Sequence, residues 1–139
     1  MTDLDETNAG HTKAFGNDPI PSGNYLACIR DVRFVSVGHD KYWYLEIVFG
    51  IIKGVREKWR LSRLLDPNSP NRLARVVYRI EITKICRAIN VPPPTNWGDS
   101  TSYLILLSGV LVISVRCVTY TDPTGEKVTF NQVVDYLKR

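Results

Sequence analysis

Lys41–Arg63 reads KYWYLEIVFGIIKGVREKWRLSR, and the fold turns on how this stretch alternates. Trp43, Leu45, Ile47, Phe49 and Ile51 fall on one side of a period of two, with Tyr42, Tyr44, Glu46 and Val48 on the other, the pattern of a half-buried strand. Lys53-Gly54 marks a tight turn. Beyond it, Val55, Trp59 and Leu61 share a face with an out-of-place Glu57, and Arg56, Lys58 and Arg60 share the opposite one. The stretch therefore predicts a hairpin with its apolar sides in one core.

Outside that core the hairpin would present tyrosine rings beside a row of cations. Rings offer stacking platforms to bases and cations follow phosphates, so this surface suits a single-stranded nucleic acid. Trp43 and Trp59 are in phase with the core. A one-residue slip in register would exchange them with the tyrosines.

The remaining chain carries the same charge bias. Residues 1–18 hold four acids and one base, a net charge of −3, so with a total of +4 the rest carries +7. Lys53, Arg56, Lys58, Arg60 and Arg63 fall close together, opposed only by Glu57. Such clusters attract polyanions, although cations on a strand also guard against edge-to-edge pairing. Arginine outnumbers lysine, and its planar fork suits phosphates and base stacking.

Length predicts one domain with a single core at 139 residues. The polar, acidic start is unlike a signal peptide, and no apolar run could span a bilayer. The expectation is a cytoplasmic protein without a membrane partner. Cys28, Cys86 and Cys117 are widely spaced among apolar residues and read as small core hydrophobes. His11 and His39 lack ligand-spaced neighbours, so neither metal nor cofactor is expected.

In order, residues 1–18 read as a flexible acidic tail and 19–139 as the folded domain. Pro19–Gly23 is an opening turn. Asn24–Val37 reads as a long strand whose inward set changes phase, from Tyr25, Ala27 and Ile29 to Val32 and Phe34, which predicts a bulge near Arg30-Asp31. Ser69 is a candidate N-cap ahead of Pro70 for one helix, stopped at Asn90 by Pro92. Its apolar residues, Leu73, Val76, Val77 and Ile80, then Ile82, Ile85, Cys86 and Ile89, predict a broad buried face. Arg72, Arg75, Arg79 and Arg87 would be solvated charge. Tyr103–Leu107 is ambiguous between a helical turn and a strand start. Val110–Tyr120 and Val128–Leu137 read as strands joined by the turn Asp122-Pro123-Thr124-Gly125.

Three strands, a helix and two strands, with a bulged first strand, predict a mostly β five-stranded Greek-key barrel of the OB-fold type, its helix between the third and fourth strands. Ligands of that fold lie on the second and third strands and the loops beside them, where the aromatic and basic stripe falls. The runs PIPSGNYLACIRDVRF, KYWYLEIVFGIIKGVREKWRLSRLL and ITKICRAINV resemble a family of phage-encoded proteins taken to be OB-fold single-stranded DNA-binding proteins. The resemblance covers Pro19 to Tyr136. It implies a viral accessory of DNA replication or recombination in the host cytoplasm, with proteins of those processes as partners. Many single-strand binders end in an acidic tail that recruits partners, whereas this sequence ends Tyr136-Leu137-Lys138-Arg139.

The leading expectation is sequence-independent binding of single-stranded DNA. Arg56, Lys58 and Arg60 would neutralise phosphates, Tyr42 and Tyr44 would stack bases, Arg30, Arg33 and Arg116 would extend the track, and Lys41 and Lys127 would clamp its edges. The alternative is an OB-like protein–protein interaction module of a replication or recombination assembly, using the same face. Homo-oligomerisation is left open. An enzyme is not expected, because the sequence carries no phosphate loop, nucleophile elbow or HExxH motif.

Overall fold

The phase change in the first long strand is the structural origin of the curvature. In the computed structural model, which describes residues 13–15, 19–36, 43–54, 56–57 and 59–139, Gly23–Ser36 (β2) runs against Trp43–Ile51 (β3). Ile29 pairs with Phe49 and Asp31 with Val48, so Arg30 is an extra residue in the ladder. The inward set passes from Ala27 and Ile29 to Val32, as the sequence predicts. A bulge of this kind bends the strand and increases its twist.

Arg60–Leu65 (β4) pairs with β3, and Lys13–Phe15 (β1) pairs with β4. Thus a strand forms within the stretch that the sequence assigns to a tail. Val110–Thr121 (β5) pairs with the first half of β2, and Lys127–Leu137 (β6) pairs with β5. The result is a mostly β protein with, among the described residues, one antiparallel sheet of six strands, ordered β1-β4-β3-β2-β5-β6, and one α-helix. The edge strands β1 and β6 approach each other, so the sheet curls toward closure. None of the described helices is long and apolar enough to cross a membrane.

The helix Arg72–Ala88 (α1) packs against β6 and β5. Its N-cap is Asn71, whose side-chain oxygen accepts from the Ala74 N–H at 3.0 Å. Ser69, the expected cap, is buried two residues earlier, and its hydroxyl accepts from the Asn71 N–H at 3.2 Å. Pro70 therefore precedes the helix instead of starting it. Arg79 is not solvated charge: its Nε donates to Pro67 O at 2.8 Å, and its guanidinium lies 5.1 Å from the Trp97 ring. Arg75 likewise donates to Ser69 O at 3.1 Å. The ambiguous segment is a 3-10 helix, Ser100–Leu106, which buries Tyr103 and Leu106.

The core gathers Leu45, Ile47, Phe49 and Ile51 of β3 with Ala27 and Ile29 of β2, Leu61 of β4, Leu111 and Ile113 of β5, and Ile82, Ile85 and Cys86 from α1. Trp43 packs edge-on to Phe34 and Tyr103, at 5.3 and 5.6 Å. Arg63 shares the inward side of β4 and reaches α1, where its Nε and Nη2 donate to the two oxygens of Glu81 at 2.9 and 3.0 Å. The Tyr136 hydroxyl donates to the same carboxylate at 2.6 Å. Burial opposes charge on Arg63, yet its bonds and attraction to Glu81 raise its pKa above the ordinary value. Burial, with the nearby Glu81 charge, holds the Tyr136 phenol neutral to unusually high pH. Of the helix's apolar residues, Ile82, Ile85 and Cys86 are buried, whereas Leu73, Val76, Val77 and Ile80 face solvent. The broad buried face predicted from sequence is therefore confined to the second half of α1.

Candidate nucleic-acid interface

With Leu45, Ile47, Phe49 and Ile51 turned inward, alternation sends Tyr44, Glu46, Val48 and Gly50 to the outer side of β3. Cross-strand register extends this face in rows: Val35 beside Tyr44; Arg33, Glu46 and Leu64; Asp31, Val48 and Ser62; Cys28, Gly50 and Arg60. Glu46, Val48, Gly50 and Ser62 are all buried. A strand read from alternation as half-buried is thus covered on both faces along most of its length.

Two arginines of β2 contribute to this face in different ways. Arg33 is tied down: its Nε donates to Asp31 Oδ2 at 2.6 Å, and its Nη1 stands 3.6 Å from Glu46 Oε1. The hydrogen bond to Asp31 raises the guanidinium pKa despite some desolvation, and the Asp31 and Glu46 charges add to the rise. In the middle of the face the Arg33 charge is therefore offset by two carboxylates. Arg30, displaced outward by the bulge, lies over Gly50, whose missing side chain leaves it room. Arg60, in register with Gly50 on its other side, is exposed.

Beyond Gly50 the hairpin closes differently from the sequence expectation. The second strand begins only at Arg60, so Arg56 sits in the connecting turn and not on a strand. Gly54 holds φ +97°, the left-handed conformation that a β-carbon disfavours. The Ile51 N–H donates to Trp59 O at 2.8 Å, which brings Trp59 alongside the end of β3. Trp59 is half-buried against the core, as its phase predicts, and the Arg56 guanidinium lies 5.7 Å from its ring centroid. Lys53 is exposed in the same turn, as is Glu57.

The structure therefore brings Arg30, Arg56 and Arg60 to one end of the β3–β4 hairpin, with Lys53 and Trp59. Tyr44 is half-buried at the opposite end of β3. Arg116 is exposed on β5, opposite Gln132, and Lys127 opposite Thr121 lies at the far end of the β5–β6 hairpin; neither joins the cluster through the β3–β4 register. In the β5–β6 turn, Asp122 accepts from the Thr124 hydroxyl at 2.6 Å and from the backbone of Thr124 and Glu126, which lowers its pKa. Lys41, Tyr42 and Lys58 lie outside the described residues, as do His11 and His39.

Gly50 is the participant that the sequence reading passed over. An isolated glycine within an otherwise apolar strand signals close approach by a neighbouring group. Here that group is the Arg30 side chain. Compared with protein-family models and with curated proteins, the chain matches none.

Proposed function

We propose that the chain is a Greek-key barrel of the OB type with an added N-terminal strand, and that it binds single-stranded DNA without sequence preference. Strands β2, β3 and β4 follow one another as neighbours, and β5 returns to lie beside β2, the spatial order of a Greek key. The helix falls between β4 and β5, where the OB fold places it. The resemblance to phage-encoded single-strand binders agrees with this reading and suggests a role in viral replication or recombination.

The observation that carries the functional reading is the row Arg30–Gly50–Arg60, continued by Arg56 over Trp59 at the hairpin end. Its outward cations can follow a phosphate backbone, while part of the Trp59 ring offers an apolar surface to a base. Gly50 and Arg60 lie on the strands that would correspond to the second and third of the OB fold, the usual ligand face, with Arg56 in the turn between them and Arg30 reaching over from β2.

Fluorescence anisotropy with labelled oligo-dT, against a duplex of equal length over a salt series, tests the proposal. The expected result is a preference for the single strand, with affinity falling steeply as salt rises. In an Arg30→Ala, Arg56→Ala, Arg60→Ala variant the slope should flatten. Absence of binding at low salt would overturn the reading.

A further inference from the structure

The sequence of α1 is apolar on two sides, and the fold uses only one of them. Ile82, Ile85 and Cys86 enter the core, while Leu73, Val76, Val77 and Ile80 are 74%, 45%, 53% and 53% exposed. Their spacing of three, four and seven residues places them in a single stripe. The neighbouring Val134 of β6, 42% exposed, borders a groove shared with Val77 and Ile80. Scattered exposed apolar residues are ordinary, but a contiguous patch bounded by charge marks an interaction site.

The charge around this stripe selects its occupant. Four and seven residues beyond Ile80, Lys84 and Arg87 continue the same helix face, and both are exposed, Lys84 with its Nζ 3.9 Å from Asp135 Oδ1 at the solvent-facing edge of β6. With Val76, Ile80, Arg79 and Thr83 they line a second groove along the helix. The one carboxylate of α1, Glu81, is already occupied by Arg63 and Tyr136. A second copy of this chain laid on the stripe would bring more cations to it and no free helix carboxylate. An acidic segment would meet apolar residues along one half and cations along the other.

We propose that the outer face of α1 docks an acidic amphipathic segment of a partner protein, its apolar residues on Leu73, Val76, Val77 and Ile80 and its carboxylates on Lys84 and Arg87. This is the helix-on-groove mode of recognition, in which apolar anchors repeat at helical spacing. The charged end adds association rate and orientation. The surface lies on a different element from the Arg30–Arg60 row, so the inference does not depend on nucleic-acid binding.

The test uses the full chain and a fluorescein-labelled synthetic peptide of about five helical turns, with leucines at helical spacing and Glu or Asp elsewhere. A peptide of the same composition with scrambled leucines and one with lysine in place of the acids serve as controls. Saturable binding of the first alone, weakened about tenfold by Val77→Asp and by Lys84→Glu/Arg87→Glu, is the expected result, about 1.4 kcal/mol at the interface. Circular dichroism checks each fold, and should Val77→Asp not fold, the charge-reversal pair at the surface decides. Equal binding of the scrambled peptide, or none at all, overturns the proposal. So does a wild-type dimer that Val77→Asp dissociates, since the stripe would then belong to a second copy. Oligo-dT affinity measured on the same variants should be unchanged; its loss would assign the face to nucleic acid and overturn the proposal as well.

Discussion

Arg30 occupies the space that a side chain on Gly50 would need: a β-carbon there would stand 2.8 Å from Arg30 Cγ and 2.9 Å from its Nε. The two residues belong to adjacent strands, and the bulge at Arg30 makes the contact by turning the extra residue outward. Gly50→Ala should therefore move the Arg30 side chain while changing stability by no more than about 1 kcal/mol, the span of strand preferences. On the proposed function, oligo-dT affinity should fall as far in Gly50→Ala as in Arg30→Ala, and the double variant should lose little more. Independent, additive losses would separate Gly50 from the action of Arg30.

Each cation that neutralises a phosphate of a single strand contributes about 0.7 to the slope of log affinity against log salt. Arg60→Ala should lower that slope by about this amount. Arg33→Ala should change it much less, because Arg33 is already engaged by Asp31 and Glu46. Equal effects of the two substitutions would contradict the division between a free end and a middle whose cation is offset.

The Tyr136 hydroxyl donates to a charged acceptor in the interior, so Tyr136→Phe should cost about 1.5–3 kcal/mol in urea denaturation at neutral pH. The native phenol pKa is raised, which means that the folded chain keeps its proton to higher pH than the unfolded chain. That contribution is complete below the ordinary tyrosine pKa of about 10 and is lost as pH rises beyond it. Wild type should lose more stability than Tyr136→Phe between about pH 8 and pH 11, and parallel losses would remove Tyr136 as the cause.

Asn131 serves both backbone groups of Ile20, its Oδ1 accepting from Ile20 N–H and its Nδ2 donating to Ile20 O, each at 2.8 Å. Both residues are fully buried. Asn131→Ala should cost about 2–4 kcal/mol by leaving two backbone groups unsatisfied. Hydrogen exchange at the Ile20 amide should accelerate. A neutral outcome would mean that water replaces both bonds.

Thiol chemistry checks the packing of α1. Burial pushes the Cys86 thiol up to about 11, whereas Cys28 and Cys117 are half-buried. An aromatic disulfide reagent at neutral pH should modify Cys86 only on denaturation, since the thiolate is the reactive form. Labelling of Cys86 in the native chain would place the helix elsewhere.

The bulge and the inward set of β2 were legible because a phase change in alternation has one simple physical cause. The strand order was less so, since β1 comes from a stretch poor in apolar residues and is recruited by the exposed ladder of β4. Periodicity named the apolar residues of α1 correctly but could not say which side the sheet would cover; Ile82 and Ile85 face it, and Leu73 and Val77 do not. Ser69 and Asn71 are both competent caps; Asn71 takes the role, accepting from the Ala74 N–H, while the Ser69 hydroxyl accepts from the Asn71 N–H. At the candidate site the mixture of rings and cations was visible, yet the neutralisation of Arg33 depended on Asp31 and Glu46 arriving from two strands. The placement of Arg56 rested on where a turn ends, which alternating charge alone does not specify.

Arg30 is supernumerary in the β2–β3 ladder, because Ile29 and Asp31 already face Phe49 and Val48. Its side chain can be exchanged without disturbing which neighbours point into the core, so the position is uncoupled from the hydrophobic code of the strand. A curled sheet of this construction can vary what it presents on its outer face at residue 30 while inheriting its interior unchanged. The bulge thus serves as an address for variation as well as a bend.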